Sequence, residues 1–234
     1  MTTAKNAGRV AGALILVQGI GGYVVNFGLI APATAPPGFL INAAPHALRV
    51  GMTALLGIVA GALAMAIALT VWPVFKKHSE RTALCFLALG TAALALAVVE
   101  NGRLMSMLSL SQAFAASGAT DPAAFEGLRG VVAAARNWAH FTHLIIGGST
   151  FFVLYATAFR FALIPRVLAG FGMAAVALQM ATVATPLLGG HVVFPLLAPA
   201  GIANLALAVW LLAKGFASKD PDALRTSGPN PHFT

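Results

Sequence analysis

The sequence predicts an all-α fold, a polytopic bundle of six transmembrane helices with elaborated outer loops. Hydrophobic residues make up 59% of the 234 residues and charged residues only 9%, whereas soluble domains carry about 25% charged residues. The mean hydropathy is +0.87, and the apolar residues form long runs without charge. Together these observations favour a membrane protein over a soluble one.

The six predicted spans are stretches that contain no charged residue. Each is long enough to cross roughly 30 Å of hydrocarbon at about 1.5 Å per residue. The first is longer than the roughly 7 to 15 apolar residues of a signal peptide, so we expect a retained helix. In chain order the spans are residues 10–30, 50–75, 82–99, 137–159, 167–188 and 195–213.

Three connections carry turn or loop signals. Residues 31–45 contain four prolines, so we expect no regular helix there and predict that the segment packs across the outer mouth of the bundle. Residues 104–136 are predicted to form two short helical pieces broken at 118–122, the first lying at the membrane interface. Prolines and glycines between 186 and 195 indicate a tight turn.

Lysine and arginine counts predict the orientation. With the N-terminus inside, the inner segments hold ten of the 14 basic residues, and positive charge marks the cytoplasmic side. Both termini are therefore predicted to be cytoplasmic, in a bacterial inner membrane. We expect one transmembrane domain, residues 1–218, and a disordered cytoplasmic tail, residues 219–234. The basic residues are scattered over short loops, so no nucleic-acid partner is expected.

Small and amide residues inside the spans indicate helix packing. Gly8 with Gly12, and Gly57 with Gly61, form GxxxG patterns that are compatible with close helix contacts. Uncharged polar residues are predicted to hydrogen-bond between helices; they are Gln18, Asn26, Gln179 and Asn204. No charged residue lies at the centre of a span, which disfavours an ion-coupled transporter.

Histidines near the predicted outer ends of the helices form the most suggestive group. Arg136, His140 and His143 occupy positions i, i+4 and i+7, so they share one helical face. With His46 and His191 they are candidate ligands of a transition metal or haem, because imidazole is the commonest metal ligand. The default interpretation is that they hydrogen-bond at the membrane interface.

Glu100 is the one acidic residue that adjoins a predicted span. An ion pair with Arg103, three residues on, is the structural interpretation. The alternative is a base or ligand beside the histidines, since ionisable groups near a membrane are often functional. In that case Glu100 and Arg136 are the candidate catalytic residues. The single cysteine, Cys85, excludes an intrachain disulfide and a multi-cysteine zinc site.

Two stretches carry a family resemblance, residues 164–172 (IPRVLAGFG) and 208–215 (AVWLLAKG). They resemble a bacterial family of six-helix membrane proteins catalogued as a domain of unknown function. The resemblance implies the six-helix fold and no defined activity. Members often carry an acidic residue in the sixth helix, where this chain has Asn204. Residues 39–49, with His46, also resemble the haem-binding region of compact membrane haem proteins such as styrene oxide isomerase.

The leading functional hypothesis is a multi-pass membrane protein that binds lipid, a small apolar molecule or partner proteins near the outer leaflet. The partner protein would be a second copy or another membrane protein. The first alternative is a membrane-embedded metal or haem enzyme acting on a hydrophobic substrate. The second alternative is a facilitative transporter. Its only support is the connection between the fifth and sixth spans, which glycines and prolines interrupt.

Overall fold

A computed structural model describes residues 2–118 and 120–217, which are almost entirely helical and contain no strand. The helices are α1 (Thr2–Tyr23, continued by a π-helical segment Val24–Leu29), α2 (Ala31–Thr34), α3 (Phe39–Asn42), α4 (Ala47–His78), α5 (Glu80–Ala116), α6 (Pro122–Arg160), α7 (Arg166–Ala184) and α8 (Ala198–Lys214). Two short 3-10 turns, Thr185–Leu188 and Phe194–Leu197, connect α7 to α8.

Six of these helical segments are long and apolar enough to cross a membrane. They are α1 with its π-helical extension, α4, α5, α6, α7 with the turn that follows it, and α8 with the turn that precedes it. The predicted all-α fold with six spans is confirmed, and the chain is a multi-pass membrane protein that lies in a lipid bilayer. The predicted turn between the last two spans is also confirmed.

Each long helix packs against two others, so that the helices follow one another around a closed ring. α1 contacts α8 and α4, and the remaining neighbours follow in chain order from α4 to α8. Both ends of the described chain meet, because Gly8 of α1 lies against Gly215 and Phe216. We call this the terminal end of the bundle and the opposite one the distal end. That the terminal end faces the cytoplasm stays a prediction.

The apolar core fills mainly the terminal half. Its largest fully buried side chains are Phe75, Phe86, Tyr155, Leu211 and Phe216, which come from α4, α5, α6, α8 and the residues after α8. Burial of an aromatic or leucine side chain of this size contributes about 1.5–3 kcal/mol in water. In a bilayer, where apolar burial stabilises less, close packing between the helices supplies much of the stabilisation. The terminal half is therefore sealed by side chains.

The two GxxxG patterns mark close helix approaches. A Cβ atom on Gly12 would lie 2.8 Å from the Ala208 carbonyl oxygen, and one on Gly61 would lie 2.6 Å from the Ala97 Cβ. The missing side chains thus let α1 approach α8 and α4 approach α5. The packing role predicted from these patterns is confirmed.

Two of the four amide side chains that were predicted to hydrogen-bond between helices do so. Gln18 donates to the Ala60 carbonyl oxygen at 3.0 Å, and Asn204 accepts from the Tyr155 hydroxyl at 3.0 Å. Asn26 instead donates to Gly22 within its own helix, at 2.8 Å. For Gln179 the prediction is not supported, since its side chain has no hydrogen bond to the described residues.

The distal end departs from the prediction in two ways. α5 runs unbroken from Glu80 to Ala116 and α6 from Pro122 to Arg160, so residues 104–116 are no separate interfacial helix. A charged residue limits burial in lipid but does not end a helix. The predicted spans were too short because each was ended at the first charged residue. The break predicted at 118–122 is confirmed, because α5 and α6 are joined there.

Residues 31–45 pack on the distal part of α5, with Ala33 and Ala43 beside Leu104 and Leu108, whereas their packing across the outer mouth of the bundle stays a prediction. The expectation of no regular helix is wrong, since α2 and α3 each form one helical turn. Proline is tolerated in the first turn of a helix, where its missing N–H has no intrahelical partner. The predicted tail, 219–234, lies outside the described residues, and the domain boundary at 218 stays a prediction.

The close approach of α1 to α8 gives a stability prediction. Gly12→Ala adds a methyl group against α8 and is expected to cost about 1–3 kcal/mol by overpacking. Gly19→Ala is the matched control in the same helix, since a Cβ there meets nothing within 4 Å. It is expected to be neutral or to stabilise by up to about 1 kcal/mol through helix propensity. The stabilities of the two variants are compared by their unfolding midpoints in sodium dodecyl sulfate titrations. Equal midpoints would contradict the close contact between α1 and α8.

Candidate functional site

A single carboxylate joins α5 to α6 near the distal end. Glu100 on α5 accepts a hydrogen bond from the His140 Nδ1 at 2.7 Å on one oxygen and from the His143 Nδ1 at 2.7 Å on the other. The Arg136 guanidinium lies 3.4 Å from the first oxygen, through its Nη2. Hydrogen bonds to an ionised carboxylate are about twice as strong as neutral ones. These four residues are called the Glu100 cluster below.

Helix periodicity builds the cluster. Arg136, His140 and His143 lie on one face of α6, as predicted from their spacing, and that face is turned towards α5. The predicted pairing of Glu100 with Arg103 is wrong, because Arg103 is exposed while Glu100 faces α6. Three donors across the helix interface outweigh one neighbour on the same helix, whose exposed ion pair contributes little.

The cluster lies about one membrane thickness along α5 and α6 from the charged residues at their terminal ends. Glu100 follows Glu80 by 20 residues along α5, and His140 precedes Arg160 by 20 residues along α6, which is about 30 Å of helix in each case. That length matches the hydrocarbon thickness of a bilayer. The side chain of Glu100 is 12% exposed and that of His143 23%, so the cluster is shielded even at this depth.

The cluster lines a cavity of about 270 Å³ in the distal half of the bundle. α1, α4, α5 and α6 form its walls. One side is apolar, with Val17 of α1 and Leu56, Val59 and Leu63 of α4 among its residues. Of the residues that line the cavity, only Glu100 and Arg136 are charged. The cavity thus combines apolar residues with polar ones, among them the Glu100 cluster, whose two formal charges cancel.

Glycines make room for this cavity. Gly21 and Gly22 of α1 line it, and a Cβ atom on either would meet nothing within 4 Å. On the opposite wall, Gly57 lies against the side chain of buried Asn101. The amide of Asn101 donates to the Ala97 carbonyl oxygen at 2.7 Å. Sequence reasoning missed Gly21 and Gly22, although the run Gly19-Ile-Gly-Gly-Tyr23 is an available signal.

Two of the four candidate histidine ligands do not join the cluster. The His46 Nδ1 donates to the Asn42 carbonyl oxygen at 2.9 Å, and His191 is exposed in the connection between α7 and α8. Neither lines the cavity. Within the described residues, no group of three or more histidine, cysteine or acidic side chains is placed to hold a metal ion. The catalytic roles expected for Glu100 and Arg136 stay predictions.

Arg136 depends on Glu100 for its charge balance. Its Nε atom is buried and has no hydrogen-bond partner among the described residues, and its side chain is 28% exposed. Removing Glu100 leaves this cation and two imidazole N–H groups without their acceptor. Loss of one partner from a fully buried ion pair costs about 3–5 kcal/mol, and the partial exposure lowers that figure.

This dependence gives a second stability prediction. Glu100→Ala is expected to destabilise the protein by about 2–3 kcal/mol. Glu126→Ala is the matched control, since Glu126 forms an exposed ion pair with Arg129 and such pairs contribute about 0–1 kcal/mol. Thermal unfolding of both variants in the same detergent measures the difference. Similar losses for the two would show that the Glu100 cluster carries no special stabilisation.

Comparison with known proteins gives a family and no assigned function. The family model described as "Domain of unknown function (DUF4386)" matches residues 10–215. No curated protein matches the chain, and no solved structure matches it. The match covers all six spans, in agreement with the resemblance noted in residues 164–172 and 208–215. The chain therefore belongs to the DUF4386 family of unknown function.

Proposed function

We propose that this membrane protein binds a small amphipathic molecule in its distal cavity. The apolar body of the ligand would lie against α1 and α4, and its polar end would contact the Glu100 cluster. The observation that carries the proposal is that one cavity combines apolar residues of α1 and α4 with the polar Glu100 cluster. Ligand pockets typically combine mainly apolar walls with a few polar groups that fix orientation.

The volume of the cavity sets the size of the ligand. Its 270 Å³ is close to the lower limit of about 300 Å³ for small-molecule pockets. It equals about nine water volumes at roughly 30 Å³ each. A molecule with about eight to ten non-hydrogen atoms would fit, as would the end of a longer chain that extends into the bilayer.

The distribution of packing supports binding over passage. The terminal half is filled by the buried core, which includes Phe75, Phe86 and Tyr155. A facilitative transporter needs a route from both ends, and the described residues close the terminal one. We place the binding cavity on the outer side of a bacterial inner membrane, because the basic residues favour a cytoplasmic terminal end.

A variant that fills the cavity tests the proposal. Gly22→Leu places a side chain in the open space beside α1 and is expected to weaken ligand binding by at least about tenfold. The probe is octanol with fluorine at its methyl end, titrated into detergent-purified protein and followed by fluorine NMR. Gly28→Leu is the matched control, because Gly28 lies in the same helical segment with free space around it and does not line the cavity.

The control protein is expected to bind the probe as the wild type does. Equal binding by the wild type and Gly22→Leu would place the probe outside the cavity and contradict the proposal. Failure of the wild type to bind octanol and a panel of similar small amphiphiles would contradict it as well.

A further inference from the structure

The Glu100 carboxylate fixes the protonation of both imidazoles. An ionised carboxylate only accepts hydrogen bonds, and each of its oxygens faces the Nδ1 of one histidine at 2.7 Å. Both Nδ1 atoms must therefore carry hydrogen. In a neutral imidazole the other nitrogen, Nε2, then carries a lone pair and accepts hydrogen bonds. Neither Nε2 atom has a hydrogen-bond partner among the described residues.

The formal charges that line the cavity already balance without a charge on either imidazole. Arg136 already supplies the counter-charge for Glu100, and no other acidic residue lines the cavity. Protonating His140 and His143 as well would place two uncompensated positive charges at the edge of the apolar layer. Uncompensated charge is costly where water is excluded. Both histidines line the cavity, and in its neutral form each ring offers Nε2 as an acceptor.

The amide side chains around the cavity add further acceptors. Asn101, Gln18 and Asn26 each direct an N–H to a backbone carbonyl oxygen, on Ala97, Ala60 and Gly22 respectively. This orientation leaves their side-chain oxygens without a donor among the described residues. Each amide keeps one further N–H, and Arg136, which contacts Glu100 through Nη2, keeps a buried Nε–H that has no partner among the described residues. The polar residues that line the cavity therefore offer unpaired acceptors as well as unpaired donors, and a hydroxyl group can pair with both.

We infer that the ligand carries an uncharged hydrogen-bond donor, a hydroxyl group, at its polar end. This inference rests on the proposed function, because it specifies the chemistry of the same cavity. A hydroxyl donates to the unpaired imidazole nitrogens and adds no charge to a site whose charges already cancel. A carboxylate or phosphate would add negative charge beside Glu100, in a cavity where the formal charges of Glu100 and Arg136 already cancel. An ammonium group would bring a cation without a counter-ion.

The test compares octanol with its methyl ether, both carrying fluorine at the methyl end of the chain. The ether has a similar shape but donates no hydrogen bond. Wild-type protein is expected to bind the alcohol about tenfold more tightly, since the ether leaves buried acceptors unpaired. The probes with carboxylate and ammonium heads are expected to bind more weakly than the alcohol. Gly28→Leu is expected to keep the same order of affinities.

A substitution at Glu100 tests the role of the tautomers. In Glu100→Gln the amide accepts from one histidine and donates to the other, so that one Nε2 atom acquires hydrogen and becomes a donor. The alcohol's tenfold advantage is expected to fall to about twofold or less, through tighter binding of the ether. His140→Phe, which removes one acceptor and keeps the ring, is expected to reduce the alcohol preference without the gain in ether binding.

The outcomes separate this inference from the proposed function. Equal binding of alcohol and ether by the wild type, abolished by Gly22→Leu, would overturn the hydroxyl inference and leave cavity binding intact. Tighter binding of a charged probe would overturn it in the same way. An unchanged alcohol preference in Glu100→Gln would overturn the tautomer argument. Absence of binding for every probe would overturn both proposals.

The hydroxyl has two sources, a free alcohol or a membrane lipid. Nanodiscs doped with diacylglycerol, whose head is a single hydroxyl, distinguish them. Displacement of fluorinated octanol by diacylglycerol, but not by the same amount of phosphatidylcholine, would identify a lipid as a ligand of the cavity. Retention of octanol in the presence of both would assign the site to a free alcohol. Displacement by both lipids alike would overturn recognition of the hydroxyl group.

Discussion

A carboxylate held between two helices at the edge of a bilayer needs a donor for each of its oxygens, and that requirement organises the distal half of this protein. Glu100 obtains its donors from one face of α6, through His140 and His143, and its counter-charge from Arg136. The pairing fixes how α5 and α6 are rotated against each other. It also orients both imidazoles, so that the chemistry offered to the cavity follows from the same contacts that hold the helices together.

The helices pack differently in the two halves of the bundle. In the terminal half, small residues such as Gly12 bring α1 onto α8, and large side chains fill the space between the helices. In the distal half, Gly21 and Gly22 have open space beside them. Glycine thus allows close helix contact in the terminal half and leaves open space in the distal half. The terminal half is therefore packed, whereas the distal half contains a cavity.

Much of the fold, and part of the site, could be predicted from the sequence. Long uncharged runs locate six spans because lipid excludes charge, and the spacing of Arg136, His140 and His143 correctly places them on one face. The partner of Glu100 could not be predicted, since helix rotation depends on packing between distant segments. The same limit applies to His46 and His191, whose separation from the cluster depends on the loops. The distal extensions of α5 and α6 were not predicted, because the absence of charged residues indicates burial in lipid and not where a helix ends.

The central claim is that one carboxylate holds His140 and His143 through Nδ1 and leaves both Nε2 atoms free to accept. Nitrogen NMR of histidine-labelled protein in detergent measures it most directly, with single His→Phe variants assigning the signals. Both rings are expected to carry hydrogen on Nδ1 and none on Nε2, and Glu100→Gln is expected to move hydrogen to Nε2 on one ring. Hydrogen on Nε2 of either ring in the wild type would contradict the account.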